Sequence, residues 1–236
     1  MILSHKYKFI FVRPMKVAGS SILHNLGKWC GDDDIVNSPS RAILRSNAFK
    51  KTKFIVQSRN FMDADERMHI TPHQFDHRFP AEWKNYFRFS CVRNPYDVVY
   101  SMYSHVVNEK YFIMGDDTDE YKSCSFNDWV KKHSKSESEL FGNMFVSPSA
   151  QCFWFDYDTG LPIHYDFMIR YENLEDDYKD VCNHFNIPYE PLVKLNSETR
   201  LDVETDRTYQ RHYNDETREI VGNIWSKVIK RYDYEF

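Results

Sequence analysis

Twice in this chain a short β-rich run stops at a turn and restarts as a helix. The first unit is "KYKFIFV" followed by "SSILHNLGKW", in which Ile22, Leu23, Leu26 and Trp29 fall at helical spacing. The second is "NYFRFSCVRNPYDVVYSMYSHVV". There Tyr86 to Val92 reads as a strand, Asn94 as the helix N-cap, Pro95 as the first helical residue and Asp97 as the acid of the first turn. Parallel strands need a crossover between them, so two such units predict an α/β fold with a central parallel sheet flanked by helices.

Other stretches carry local helix signals. In "HITPHQFDHRF", Thr71 is an N-cap, Pro72 follows it and Gln74 stands three residues on, so a helix begins just behind His69. "SFNDWVKKH" has a capping box from Ser125 to Asp128. The stretch from "FWFDYDTG" to "CNHF" reads as strand, turn at Asp158 to Gly160, strand, then a helix capped by Asn173. A last helix is expected over Asn214 to Lys230. No repeat or Pro/Gly-rich linker divides the 236 residues, so the expectation is one domain over 1–236.

Composition narrows the function classes. A formal charge of -4 leaves no basic footprint for nucleic acid or an anionic membrane, so any anion site has to be local. Neither a secretory h-region nor an apolar run of about 20 residues is found, and five dispersed cysteines without CxxC pairing point to a reducing compartment, so the expected location is cytoplasmic. The acidic runs "GDDD" (31–34) and "GDDTDE" (115–120) have the Asp-x-Asp look of metal ligands, yet no flanking pattern holds a metal geometry. Solvated loop is the favoured reading, and no metal is expected. Loops 31–65 and 110–150 carry no pattern that assigns a role.

The turn "RPMKVAGSS" is unlike the familiar phosphate loop, because Lys16 precedes Gly19 instead of following a second glycine. Its parts still suit an anion. A strand end entering a helix aims unpaired N–H groups and the positive end of the dipole one way; Gly19 permits close approach, Ser20 and Ser21 add hydroxyls, and Lys16 adds charge. The plain alternative is a turn with a surface lysine. In the second unit, Arg93 ends the strand and Ser101 lies about two helical turns on, offering a guanidinium fork and a hydroxyl to a second phosphate. Read alone, Arg93 could equally pair with a core carboxylate.

"RPMKVAGSSI" followed by "FSCVRNPYDVVYSMY" resembles the paired cofactor motifs of the sulfotransferases, which use 3'-phosphoadenosine 5'-phosphosulfate (PAPS). The likeness continues through "MHITPHQF", "AQCFWFDYDTG", "DFMIRYENLEDDYKDVCNHFNIP" and "YQRHYNDETREIVGNIWSKVIKRYDYEF", and is closest to the carbohydrate-type branch. Met15 stands where that branch often has proline, and Ser20 where threonine is usual. The resemblance implies a P-loop-type three-layer fold and PAPS as donor. It assigns Lys16 to the leaving 5'-phosphate, Val17, Ala18, Gly19, Ser20 and Ser21 to the phosphate cradle, and Arg93 with Ser101 to the 3'-phosphate. It also implies a closing loop with Arg207 and Tyr209.

Transfer to a hydroxyl needs a proton acceptor. His69, beside a capped helix and between the two anion motifs, is the candidate base, with His73 second; a histidine packing at a helix start is the alternative. Phe153, Trp154, Phe155 and Tyr157 suit sugar stacking but read better as strand core, and Asn173 beside Glu172 reads as a helix cap. The expected activity is sulfuryl transfer to a hydroxyl acceptor, a small molecule or carbohydrate. The rivals are a nucleotide or small-molecule kinase, disfavoured by the missing GK[ST], and a non-catalytic nucleotide-binding module.

Overall fold

The computed structural model describes residues 1–36, 70–108, 124–134, 146, 148–193 and 209–236. His69, Arg207 and the run at 115–120 lie outside the described residues. By its internal contacts the chain groups into two compact units, Met1–Val92 with Asp158–Leu195, and Arg93–Tyr157 with Asn196–Phe236.

The first unit holds the sheet. Its strands are β1 (Ile2–Ser4), β2 (Phe9–Phe11), β3 (Ile35–Val36), β4 (Phe87–Val92) and β5 (Phe167–Arg170), in the spatial order β3-β1-β2-β4-β5. The expected parallel pairing holds for β2 with β4, where Ile10 faces Arg88, and for β4 with β5, where Cys91 faces Ile169. The expected parallel sheet is met in part, because β1 runs against both β2 and β3.

The reason lies at Asp34. Its carboxylate accepts from Ser4 Oγ at 2.7 Å and from the backbone N–H groups of His5 at 2.6 Å, Lys6 at 3.0 Å and Gly31 at 2.9 Å. These bonds hold the turn that reverses the chain between β1 and β2. Asp34 is therefore a buried structural acid, while its neighbours Asp32 and Asp33 are exposed as a solvated loop would have them.

β2 is buried on both faces, as a strand with neighbours on each side requires. Phe9 meets Phe89 and Phe185 with ring centroids 5.4 and 4.9 Å apart, and Phe11 meets Phe89 at 5.1 Å. Helices α1 (Gly19–Gly27), α2 (Pro72–Arg78), α3 (Pro80–Asn85) and α6 (Leu174–His184) belong to this unit. α2 starts as its sequence predicts: the Thr71 hydroxyl accepts from Gln74 N at 3.3 Å and Gln74 Oε1 accepts from Thr71 N at 2.9 Å. Asn173 stands at the N-cap of α6 without capping it; its side-chain amide instead donates to Asp177 Oδ1 at 2.7 Å.

The second unit is helical and aromatic. It contains α4 (Pro95–Asn108), α5 (Phe126–Ser134), α7 (Asp215–Ile224) and α8 (Ser226–Tyr232). α4 opens as expected, with Val98 N donating to the Asn94 carbonyl and Tyr96 N to Asn94 Oδ1. The single helix expected over Asn214 to Lys230 is two, broken at Trp225. A distant side chain satisfies the break, since Gln151 Nε2 donates to Ile224 O at 2.7 Å and Gln151 Oε1 accepts from Val228 N at 3.0 Å.

The aromatic run before Tyr157 is likewise not a strand. A 3₁₀ turn over Pro148–Gln151 leads into further turns, burying Phe153, Trp154 and Phe155 while Tyr157 is 76% exposed. Trp154 meets Trp225 at 5.7 Å, which makes it core, as expected, by a different backbone route. No described helix is long and apolar enough to cross a membrane.

Candidate functional site

The turn after β2 is set by the sheet. Val12 N donates to the Phe89 carbonyl at 3.0 Å, and the Val12 carbonyl accepts from Ser90 Oγ at 3.0 Å, so the chain leaves the sheet from a fixed point. Pro14, Met15 and Val17 are buried, Lys16 is half-buried, and α1 begins at Gly19.

The backbone of this turn is unusual in a way its sequence does not display. Lys16 has φ 63° and Ala18 has φ 61°, so two non-glycine residues within three positions are left-handed. An L-residue there costs about 1–2 kcal/mol. Left-handed residues set among ordinary ones curl the backbone so that successive N–H groups face one concavity, a geometry that suits anions. Ala18 occupies the N-cap of α1 without any side-chain cap, and its carbonyl accepts from Ser21 N and Ile22 N. The N–H groups of Gly19 and Ser20 find no acceptor among the described residues. No acid stands in the first turn of α1 to neutralise the helix dipole.

Gly19 is the glycine of the turn, but positive φ is not its reason. A Cβ built on it would lie 2.3 Å from Arg13 Cγ and 3.0 Å from Arg13 Cδ. The close approach anticipated for Gly19 is thus made by a side chain of the chain itself. Arg13 is 3% exposed, its Nη1 reaches Ser20 Oγ at 3.5 Å, and burial lowers its pKa to about 10, which leaves it charged at neutral pH.

The second motif is described within the other unit. Arg93 is 4% exposed, with Nε 2.7 Å and Nη2 2.5 Å from Asp97 Oδ2. Ser101 is buried one turn beyond Asp97, on the same face of α4. The carboxylate partner considered for Arg93 therefore exists, and it orients the guanidinium on the face that carries Ser101. His73 is exposed in the first turn of α2. Tyr209 sits in a 3₁₀ turn, its ring edge-on to Tyr213 and Phe236 at 6.4 and 6.0 Å. Among the described residues, no group of three or more His, Cys, Asp or Glu is arranged to hold a metal.

A family model described as the sulfotransferase family matches residues 1–236, the whole length given. The chain belongs to the sulfotransferase family. No curated protein and no solved structure matches it. For a sulfotransferase, whose family moves sulfuryl groups, the turn Arg13–Ser21 is a described element suited to an anionic group. Backbone N–H groups, hydroxyls and one lysine are the donor set such a group requires. The sequence of this sulfotransferase did not single out Arg13, and it offered Asp97 as a first-turn acid, not as the partner of Arg93. The i,i+4 spacing of Arg93 and Asp97 was the available signal for that pairing; nothing local marks Arg13 as the neighbour of Gly19.

Proposed function

We propose that this protein transfers a sulfuryl group from 3'-phosphoadenosine 5'-phosphosulfate to a hydroxyl of a carbohydrate. The observation that carries this is the Lys16–Ser21 turn, with its left-handed residues and the Gly19 and Ser20 N–H groups that meet no acceptor among the described residues, in a chain of the sulfotransferase family. In this reading the fold is the P-loop-like one of that family and 1–236 act as one catalytic domain. The carbohydrate class rests on the resemblance of the motifs to that branch.

The donor supplies sulfate activated as a mixed anhydride with its 5'-phosphate. Val17, Ala18, Gly19, Ser20 and Ser21 hold its 5'-side by backbone and hydroxyl donors, while Lys16 neutralises charge gathering on the phosphate that leaves. Arg93 and Ser101 take the 3'-phosphate, with Arg207 closing over the nucleotide. His69 removes the acceptor's proton as the hydroxyl oxygen bonds to sulfur and the bond from sulfur to the 5'-phosphate oxygen breaks, a role worth about 10²- to 10⁴-fold. This chemistry needs no metal between phosphates.

The test is labelled-sulfate transfer by wild type and by Lys16→Ala, Arg93→Ala and His69→Ala. Each variant should fold and transfer poorly. Transfer by His69→Ala near the wild-type rate removes that histidine as base, and the same assay on His73→Ala then examines the second candidate. Calorimetry with adenosine 3',5'-bisphosphate against ATP separates this reading from a kinase.

A further inference from the structure

The mechanism above leaves one buried charge without a task. Arg13 stands at the exit of β2, 3% exposed, beneath the turn that the donor reading uses. Burying a guanidinium is costly, and Arg is almost never fully buried unless it is engaged. Part of what it engages is the turn itself. Its Cγ fills the space where a Gly19 side chain would stand, 2.3 Å from the position of a Cβ, and its Nη1 is 3.5 Å from Ser20 Oγ.

We propose that Arg13 is the positioning residue of the anion-holding turn: its methylenes brace the Gly19 backbone and its guanidinium holds Ser20 Oγ, so that the Gly19 and Ser20 donors face the 5'-phosphate side of the donor. The inference deepens the donor reading and rests on it. Three observations fit together here. The turn carries left-handed Lys16 and Ala18, which persist only where surroundings over-determine them. Gly19 is not left-handed, so the requirement for glycine comes from contact with Arg13. A hydroxyl has a single proton; when Ser20 Oγ accepts from Arg13, that proton is left to donate to an anion.

The alternative is that Arg13 only fills space under the sheet. The two are separable because a general structural lesion weakens every ligand, whereas a misplaced turn weakens only ligands that use it. Calorimetry with adenosine 3',5'-bisphosphate and with adenosine 3'-monophosphate, which lacks the 5'-phosphate, reads the difference. Wild type should prefer the bisphosphate. Arg13→Lys keeps charge but loses the fork and the fit, and should lose roughly tenfold or more for the bisphosphate while staying within about twofold for the monophosphate. Gly19→Ala, which retains the arginine and pushes a methyl against it, should show the same selective loss; it decides the matter if Arg13→Lys does not fold. Unchanged bisphosphate affinity, or equal losses for both nucleotides, overturns the role of Arg13. A wild type with no preference between the nucleotides overturns the donor reading, and this inference falls with it.

Discussion

Arg93 and Asp97 form a largely buried ion pair in which both Nε and Nη2 converge on one carboxylate oxygen, at 2.7 and 2.5 Å, one helical turn apart. Side-chain exposures of 4% and 13% place the pair where desolvation matters. Removing one partner strands the other, so Asp97→Ala should destabilise the protein by about 3 kcal/mol. Arg93→Ala/Asp97→Ala, which leaves no stranded charge, should be less destabilised than Asp97→Ala. Urea unfolding of both variants checks the order.

Asp34 gives a pH dependence with a definite sign. Burial pushes its pKa up, but the bonds from Ser4, Gly31, Lys6 and His5 outweigh it and hold the pKa below the usual value. A carboxyl depressed in the fold stabilises above its unfolded pKa of about 4, and that contribution is lost as acid protonates it through the folded value. Asp34→Asn should cost about 1–3 kcal/mol at neutral pH. It should also flatten the fall in stability below about pH 4. Thermal melts of both proteins between neutral and acid pH measure it.

Ala18 tests whether the turn stores strain. With φ 61° it occupies a conformation that glycine adopts without steric cost. Ala18→Gly should leave stability unchanged or raise it by up to about 1 kcal/mol, against the loss of about 0.5–1 kcal/mol usual for Ala→Gly. A loss of that usual size, seen by chemical denaturation, would contradict the strain.

What could be read in the sequence was local chemistry. The Thr71–Pro72–Gln74 box and the Asn94–Pro95 start stand where expected, because each cap depends on residues within one turn of chain. The features missed depend on distant partners. Asp34 reverses β1 from 30 residues away, and Gln151 divides the final helix at Trp225 from over 70 away. In the site, the residue types of the Lys16–Ser21 turn were legible, but the two left-handed residues and the Arg13 brace were not. No composition rule reports which side chain will occupy the space beside a glycine.

Gly222 offers a check on the second unit. A Cβ there would lie 2.8 Å from Tyr96 Oη, so Gly222→Ala should be destabilising although alanine is favoured in a helix by about 1 kcal/mol. In a Tyr96→Phe background the same change should become neutral or stabilising. Melting temperatures of the three variants decide it.

The central claim is that Lys16 serves a departing phosphate. The most direct measurement is the rate of labelled sulfuryl transfer from 3'-phosphoadenosine 5'-phosphosulfate to a carbohydrate panel, comparing wild type with a folded Lys16→Ala variant. The account predicts transfer by wild type and a loss of roughly 10²- to 10³-fold in the variant. Equal rates in the two proteins, or no transfer by wild type to any carbohydrate offered, would contradict it.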